Sequence, residues 1–304
     1  MKIRFAVAAA ALSALTACGA VSASGGSAVS DMPAVRLIVE ESDYARYGIL
    51  EIAEEEMSAY YSEDADYSDY SYEDVLAREE RNAGYLLGYA DEADALAEEL
   101  DGLSSDMSAG GGRDEFYADQ AKFLTVTAAR DYLGMLSDSA RDFSFVLTYD
   151  AGLYKALTPM FDWFDSEEGV SDDYYLYASS ASEAIAETLR LLGELEPPQA
   201  LHLAHADVKL RVDEFRVLFE DFAYAVEIDD PLRIYSCRYR LDRLATDFDE
   251  ASDELYNDMY IQLDRVLERM YGQIDTLRYE LEVNMDAIIT GTDAPPELLA
   301  GVEL

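Results

Sequence analysis

What limits this chain most is the spacing of its apolar residues across long stretches without proline. After Pro231 the next proline is Pro295, and up to Ile289 a single glycine, Gly272, intervenes. In that stretch Ile234, Cys237, Leu241, Leu244, Phe248, Leu255, Met259, Leu263, Val266, Met270, Ile274, Leu277 and Leu281 recur at steps of three and four. The one wider gap is filled by Ala251 and Ser252, which suits either a bend or an unbroken helix. Such spacing places all of these side chains on one face of an α-helix and leaves a strand no consistent inside.

The segment before it repeats the pattern. Leu201, His205, Val208, Val212, Phe215, Phe219, Phe222 and Val226 form a seam, with Asp207, Asp213, Glu214, Glu220 and Asp221 off it. Pro197-Pro198 closes the preceding helix, because the residue before a proline is pushed out of the helical region. Asp230-Pro231 reads as an N-cap followed by a proline at the first helical position. Further helices are expected at about 36–60, 72–101, 114–136, 139–161 and 172–195. They are separated by the acidic, tyrosine-rich stretch 60–74, the Ser/Gly-rich 103–113 and the acidic 165–173. No run alternates with period two between hairpin turns. The expected class is all-α: an elongated antiparallel bundle of about six or seven helices with a long C-terminal helix, one domain over 35–290, and a disordered tail at 291–304.

The N-terminus has a different character. Lys2 and Arg4 precede an apolar run from Phe5 to Leu15. About eleven residues at 1.5 Å rise span only about half of a bilayer core, so the run suits a signal peptide over residues 1–17 rather than a membrane helix. Leu15-Thr16-Ala17-Cys18-Gly19 follows and resembles the lipobox of bacterial lipoproteins. The resemblance implies that Cys18 is lipidated and becomes the first residue of the mature chain. Residues 18–34, rich in Gly, Ser and Ala, are expected to act as a flexible tether. Gly19 takes the place of the aspartate associated with inner-membrane retention, which favours the outer membrane or the cell surface.

Charge sets limits on partners. The formal net charge is −42, and lysine occurs at only four positions, Lys2, Lys122, Lys155 and Lys209. Such a surface repels phosphate backbones and excludes nucleic acid as a partner. With Cys18 lipidated, Cys237 has no partner for a disulfide, so stability rests on packing.

Candidate chemistry is sparse. His202 and His205 are three residues apart on one helix face, which would let two imidazoles approach one metal, but no third ligand accompanies them. His205 also lies on the apolar seam and reads as a packed core residue. Cys237 lies on a seam as well and reads as a buried thiol. Asp64, Asp66, Asp69, Glu73 and Asp74 form a candidate cation-binding strip. The strip fails as a calcium loop because Asp69 stands where glycine is needed and Val75 where the last carboxylate belongs. From His202 to Arg243 the acidity nearly vanishes, and Arg233, Arg240 and Arg243 form a candidate patch for an anionic ligand. No nucleophile elbow, phosphate loop, dinucleotide fingerprint or paired-cysteine motif is present, and no cofactor is expected.

Taken together, the lipobox, the tether, and a leucine-rich helix ending in Glu196-Pro197-Pro198 before a histidine-bearing helix resemble uncharacterised helical lipoproteins of bacterial envelopes. The likeness covers about residues 140–290 and implies a fold without a mechanism. The expectation is a non-catalytic binding or adaptor module, anchored in the membrane through its lipid and meeting an envelope protein partner. An extracytoplasmic cation-binding protein is the alternative.

Overall fold

The computed structural model describes residues 32–61, 72–105, 113–166 and 174–291. Among them there is no strand, and the chain is all-α. The helices are α1 (Met32–Glu41), α2 (Asp43–Tyr61), α3 (Tyr72–Ser105), α4 (Arg113–Asp165), α5 (Tyr174–Glu194), α6 (His202–Glu227), α7 (Pro231–Glu268) and α8 (Asp275–Thr290). A π-helical turn at Arg269–Ile274 joins α7 to α8, so one helix of 60 residues runs from Pro231 to residue 290.

The expected seams form the core. Leu201, just before α6, and His205, Val208, Val212, Phe215 and Phe219 within it are buried; along α7, the π-helical turn and α8, Cys237, Leu244, Phe248, Leu255, Met259, Leu263, Val266, Met270, Ile274 and Leu281 are buried. Ala251 is buried too, so the gap at 251–252 bridges an unbroken helix. The cap at Asp230 forms as its sequence suggests: its carboxylate accepts from the backbone N–H of Leu232 and Arg233, each at 3.1 Å.

Three boundaries differ from the sequence reading. α1 begins at Met32, and Met32 and Val35 are buried, so its first turn reaches back into residues assigned to the tether. The single helix expected at 36–60 breaks at Ser42, whose hydroxyl donates to the Val39 carbonyl at 2.7 Å. Two helices expected at 114–136 and 139–161 are one, α4. Ser137-Asp138-Ser139 suggests a break, but Ser137 is buried, accepts from Arg141 at 2.5 Å, and lies between Leu136 and Ala140 on a continuous buried stripe.

Cross-helix contacts show how the long helices are stacked. Tyr132 of α4 lies near Arg278 of α8, Asp142 pairs with Arg269, and Phe161 packs edge-on against Phe248. The 53-residue α4 therefore lies antiparallel to the 60-residue α7–α8 run between Tyr132 and Phe161. The lower storey completes itself with α1, α2 and α3: Arg46 pairs with Asp275, and Arg130 with Asp101. The upper storey is completed by α5 and α6 around an aromatic cluster of Trp163, Phe164, Tyr177, Phe215, Phe219 and Phe248. Arg36 pairs with Asp286 at 2.7 Å, so the described chain starts beside the end of α8. The α6–α7 turn lies at the other end of that long helix, about 90 Å away along its axis.

Candidate functional site

The α6–α7 hairpin end, hereafter the tip, is built by an uncommon stretch of this sequence. Residues 231–241, PLRIYSCRYRL, carry three arginines and no carboxylate, in a chain with 64 acidic residues. The turn before it is sharp: Asp229 has φ of 50°, a left-handed conformation that Asp tolerates through local hydrogen bonding. Apolar groups that would normally be buried project from α7 here. Leu232 is 83% exposed, Tyr235 74% and Tyr239 72%, and single exposed apolar residues are ordinary whereas a grouped stripe is not.

Beside this stripe lies a cavity of about 490 Å³, partly open to solvent. Its walls include Tyr177 of α5, Phe219 and Phe222 of α6, and Ile234, Leu241 and Arg238 of α7. That volume falls within the range of about 300–1,000 Å³ common for small-molecule pockets, which are mostly apolar with a few placed polar groups.

Two of the three arginines of the expected anionic-ligand patch meet at the tip. Arg233 Nε donates to Asp221 Oδ1 at 2.8 Å, and Arg240 donates to Asp221 Oδ2 at 2.6 Å. Burial would raise the Asp221 carboxyl, but the two guanidiniums outweigh it and hold the pKa below the usual carboxylate range. Arg233 also stacks over the Tyr224 ring at 4.9 Å. Arg243 does not join them: it is 80% exposed at the side chain and faces Asp247 at 3.8 Å. Cys237, expected to be buried, is so; burial pushes its thiol up, and Sγ lies 3.8 Å from Asp221 Oδ2. It is no activated nucleophile, since thiolate formation is opposed both by burial and by the nearby carboxylate.

The two histidines are held by different partners. His202 Nε2 donates to the Pro197 carbonyl at 3.0 Å, at the exposed start of α6. His205 is buried, and its Nδ1 lies 2.9 Å from the Tyr149 hydroxyl. Burial lowers its pKa against a hydrogen bond to the Leu192 backbone, so the neutral ring accepts a hydrogen bond from the Tyr149 hydroxyl. Among the described residues no three His, Cys, Asp or Glu side chains are grouped to hold a metal ion. In the candidate cation strip, Asp64, Asp66 and Asp69 lie outside the described residues, as does Cys18; Glu73 and Asp74 are exposed in the first turn of α3.

The junction of the two storeys holds a polar cluster that the sequence reading did not single out. Glu56 of α2, Glu79 and Asn82 of α3, and Asp150 of α4 are all buried. Arg78 reaches Glu56 at 3.0 Å and Glu79 at 3.9 Å, and Asn82 donates to Glu56 at 2.6 Å. Burial, reinforced by the charges of Asp150 and Glu56, pushes the Glu79 carboxyl up to about 8, against the pull of Arg78. Burial raises Glu56 too, with Arg78 and Asn82 opposing. A usable signal existed: Glu56 falls between Ala53 and Met57 on the buried stripe of α2, and Glu79 and Asn82 precede Ala83 and Leu86 at helical spacing. In a chain so rich in carboxylates, a carboxylate on an apolar seam is the informative one. Compared with protein-family models, with curated proteins and with solved structures, the chain matches none.

Proposed function

We propose that this protein is a non-catalytic binding module of the bacterial cell envelope, held by lipid on Cys18, that presents the α6–α7 tip to a partner outside the cytoplasm. The observation that carries the reading is the position and composition of the tip. It groups exposed Leu232, Tyr235 and Tyr239 with arginines beside a cavity, at the end of the molecule opposite the start of α1. Tyr and Arg are the residues that most often dominate binding energy at protein interfaces, because each offers a large contact area with a polar handle. A rigid helical array between tether and tip would hold that surface away from the membrane. No helix of the described residues is long and apolar enough to cross a membrane, so on this reading attachment rests on the lipid. Two acyl chains anchor stably where one is marginal.

Fractionation tests the anchor. Wild type is expected in the membrane fraction, released by detergent but not by high salt, and Cys18→Ala in the soluble fraction. A Cys18→Ala protein that stays with the membrane removes the lipid from the account. The cation-binding alternative has no support among the described residues and is kept only for the strip that includes Asp64, Asp66 and Asp69.

A further inference from the structure

The tip cavity offers more than a surface, and the geometry points to its occupant: a single-chain amphiphile with an anionic head, an acyl carboxylate being the simplest, whose chain enters the cavity and whose head meets Arg238. This rests on the reading of the tip as the binding end and names the chemistry bound there.

The walls argue for the chain. Tyr177, Phe219, Phe222, Ile234 and Leu241 give a cavity surface dominated by aromatic and aliphatic carbon. A polar metabolite would lose its hydration there with little to replace it, whereas methylene groups are stabilised by leaving water. Charge complementarity argues for the head. Arg238 belongs to the cavity lining and pairs with no carboxylate among the described residues, while Arg233 and Arg240 together exceed the charge of the Asp221 they share. Elsewhere this molecule repels anions; along residues 231–241, which hold three arginines and no carboxylate, an anionic head would meet less of that repulsion and a free guanidinium, although Asp229 and Asp230 stand at the adjoining turn. A cationic amphiphile would find its partners on the rest of the surface instead.

The fold supplies its own reporter. Trp163 is the single tryptophan, and its ring lies 4.8 Å from that of Tyr177 and 5.3 Å from that of Phe219, both of which line the cavity. A chain seated in the cavity is therefore one side chain away from the indole.

The test uses the whole chain carrying Cys18→Ala, which removes any acyl group of its own. Equilibrium dialysis measures binding of radiolabelled dodecanoate, and Trp163 emission is followed in parallel. Saturable binding that shifts the emission at the same concentrations is expected. Affinity should rise about two- to fourfold per methylene from octanoate to tetradecanoate, as burial of each CH₂ requires. Dodecanol should bind about two- to fivefold more weakly than dodecanoate, and Arg238→Glu should abolish that preference, since one exposed charge contact is worth about that factor. Arg238 is exposed, so the variant should keep the unfolding midpoint of the parent.

Binding without a change in Trp163 emission would place the amphiphile elsewhere and overturn the proposal. Equal affinity for dodecanol and dodecanoate would overturn the anionic head, and absence of saturable binding at any chain length would overturn the occupant altogether. None of these outcomes removes the tip as a protein-binding surface, which is tested by cross-linking from Tyr239.

Discussion

Two arginine–carboxylate clusters in this molecule are mirror images. At the junction one arginine, Arg78, is shared by two glutamates, Glu56 and Glu79, and Asp150 adds its charge to theirs. At the tip one carboxylate, Asp221, is shared by two arginines, Arg233 and Arg240. The junction is buried and carries an excess of carboxylate, so Glu79 resolves the excess by holding a proton. The tip is open to water and carries an excess of guanidinium, so its carboxylate stays ionised and its arginines stay available. The same residue types thus serve cohesion in one place and recognition in the other. What decides between them is the ratio of charges together with access to water.

The comparison breaks most visibly at Arg78. Removing the shared cation from the junction leaves buried carboxylates without it, and Arg78→Ala is expected to lower unfolding stability by about 3 kcal/mol at pH 7, measured by chemical denaturation. A loss below about 1 kcal/mol would mean that water reaches the junction and that it resembles the tip after all.

A smaller effect concerns the proton. The folded-state pKa of Glu79 is raised to about 8 from an ordinary value of 4.5. Between those values the folded state binds a proton that the unfolded state does not, so this contribution is complete below about pH 4.5 and is lost as pH rises through about 8. Unfolding stability should therefore fall from pH 5.5 to pH 8.5, and Glu79→Gln should flatten the profile. At pH 8.5 the variant should be the more stable protein by about 1–2 kcal/mol. Measurement in high salt separates this from the general self-repulsion of so acidic a chain, which salt screens. Identical slopes for wild type and Glu79→Gln would remove the proton from the junction.

At the tip the sign reverses. Asp221 has a lowered pKa, so its contribution is present above the unfolded value of about 3.8 and lost only as pH falls through the folded value below it. Asp221→Asn should cost about 1 kcal/mol or less at pH 7, as expected for a pair near water, and should leave the profile between pH 5.5 and 8.5 unchanged. Arg243→Ala, remote from the shared carboxylate, should leave the unfolding midpoint where it was. A cost for Asp221→Asn as large as that for Arg78→Ala would make the tip a structural clamp.

Much of this architecture was legible because a period near 3.6 leaves few alternatives. The seams Leu201–Phe219 and Cys237–Leu281 are buried as spaced, with Leu241 and Leu277 half-buried, and the cap at Asp230 needed only two residues to be read. The continuity of α4 was not legible, because Ser137 and Ser139 look like a break until the partners that cover them, Arg141 and Arg269, are in place. The arginines of the patch were visible as a local loss of acidity, but not that Arg233 and Arg240 share Asp221 while Arg243 stands apart. That depends on a carboxylate contributed by the neighbouring helix. The junction was only partly legible: Glu56 and Glu79 lie on apolar seams of their own helices, but that they meet each other and Asp150 depends on three helices packing together.

The most direct test of the tip as the binding end places a photo-reactive benzophenone side chain at Tyr239 and, as a control, at Tyr279. The two positions are similarly exposed, at 72% and 65%, but Tyr239 is at the tip and Tyr279 in the lower storey. In intact cells the account expects discrete, reproducible adducts from position 239 that disappear when Arg238→Glu is added, and none from position 279. The same adducts from both positions, or adducts from 279 alone, would contradict it.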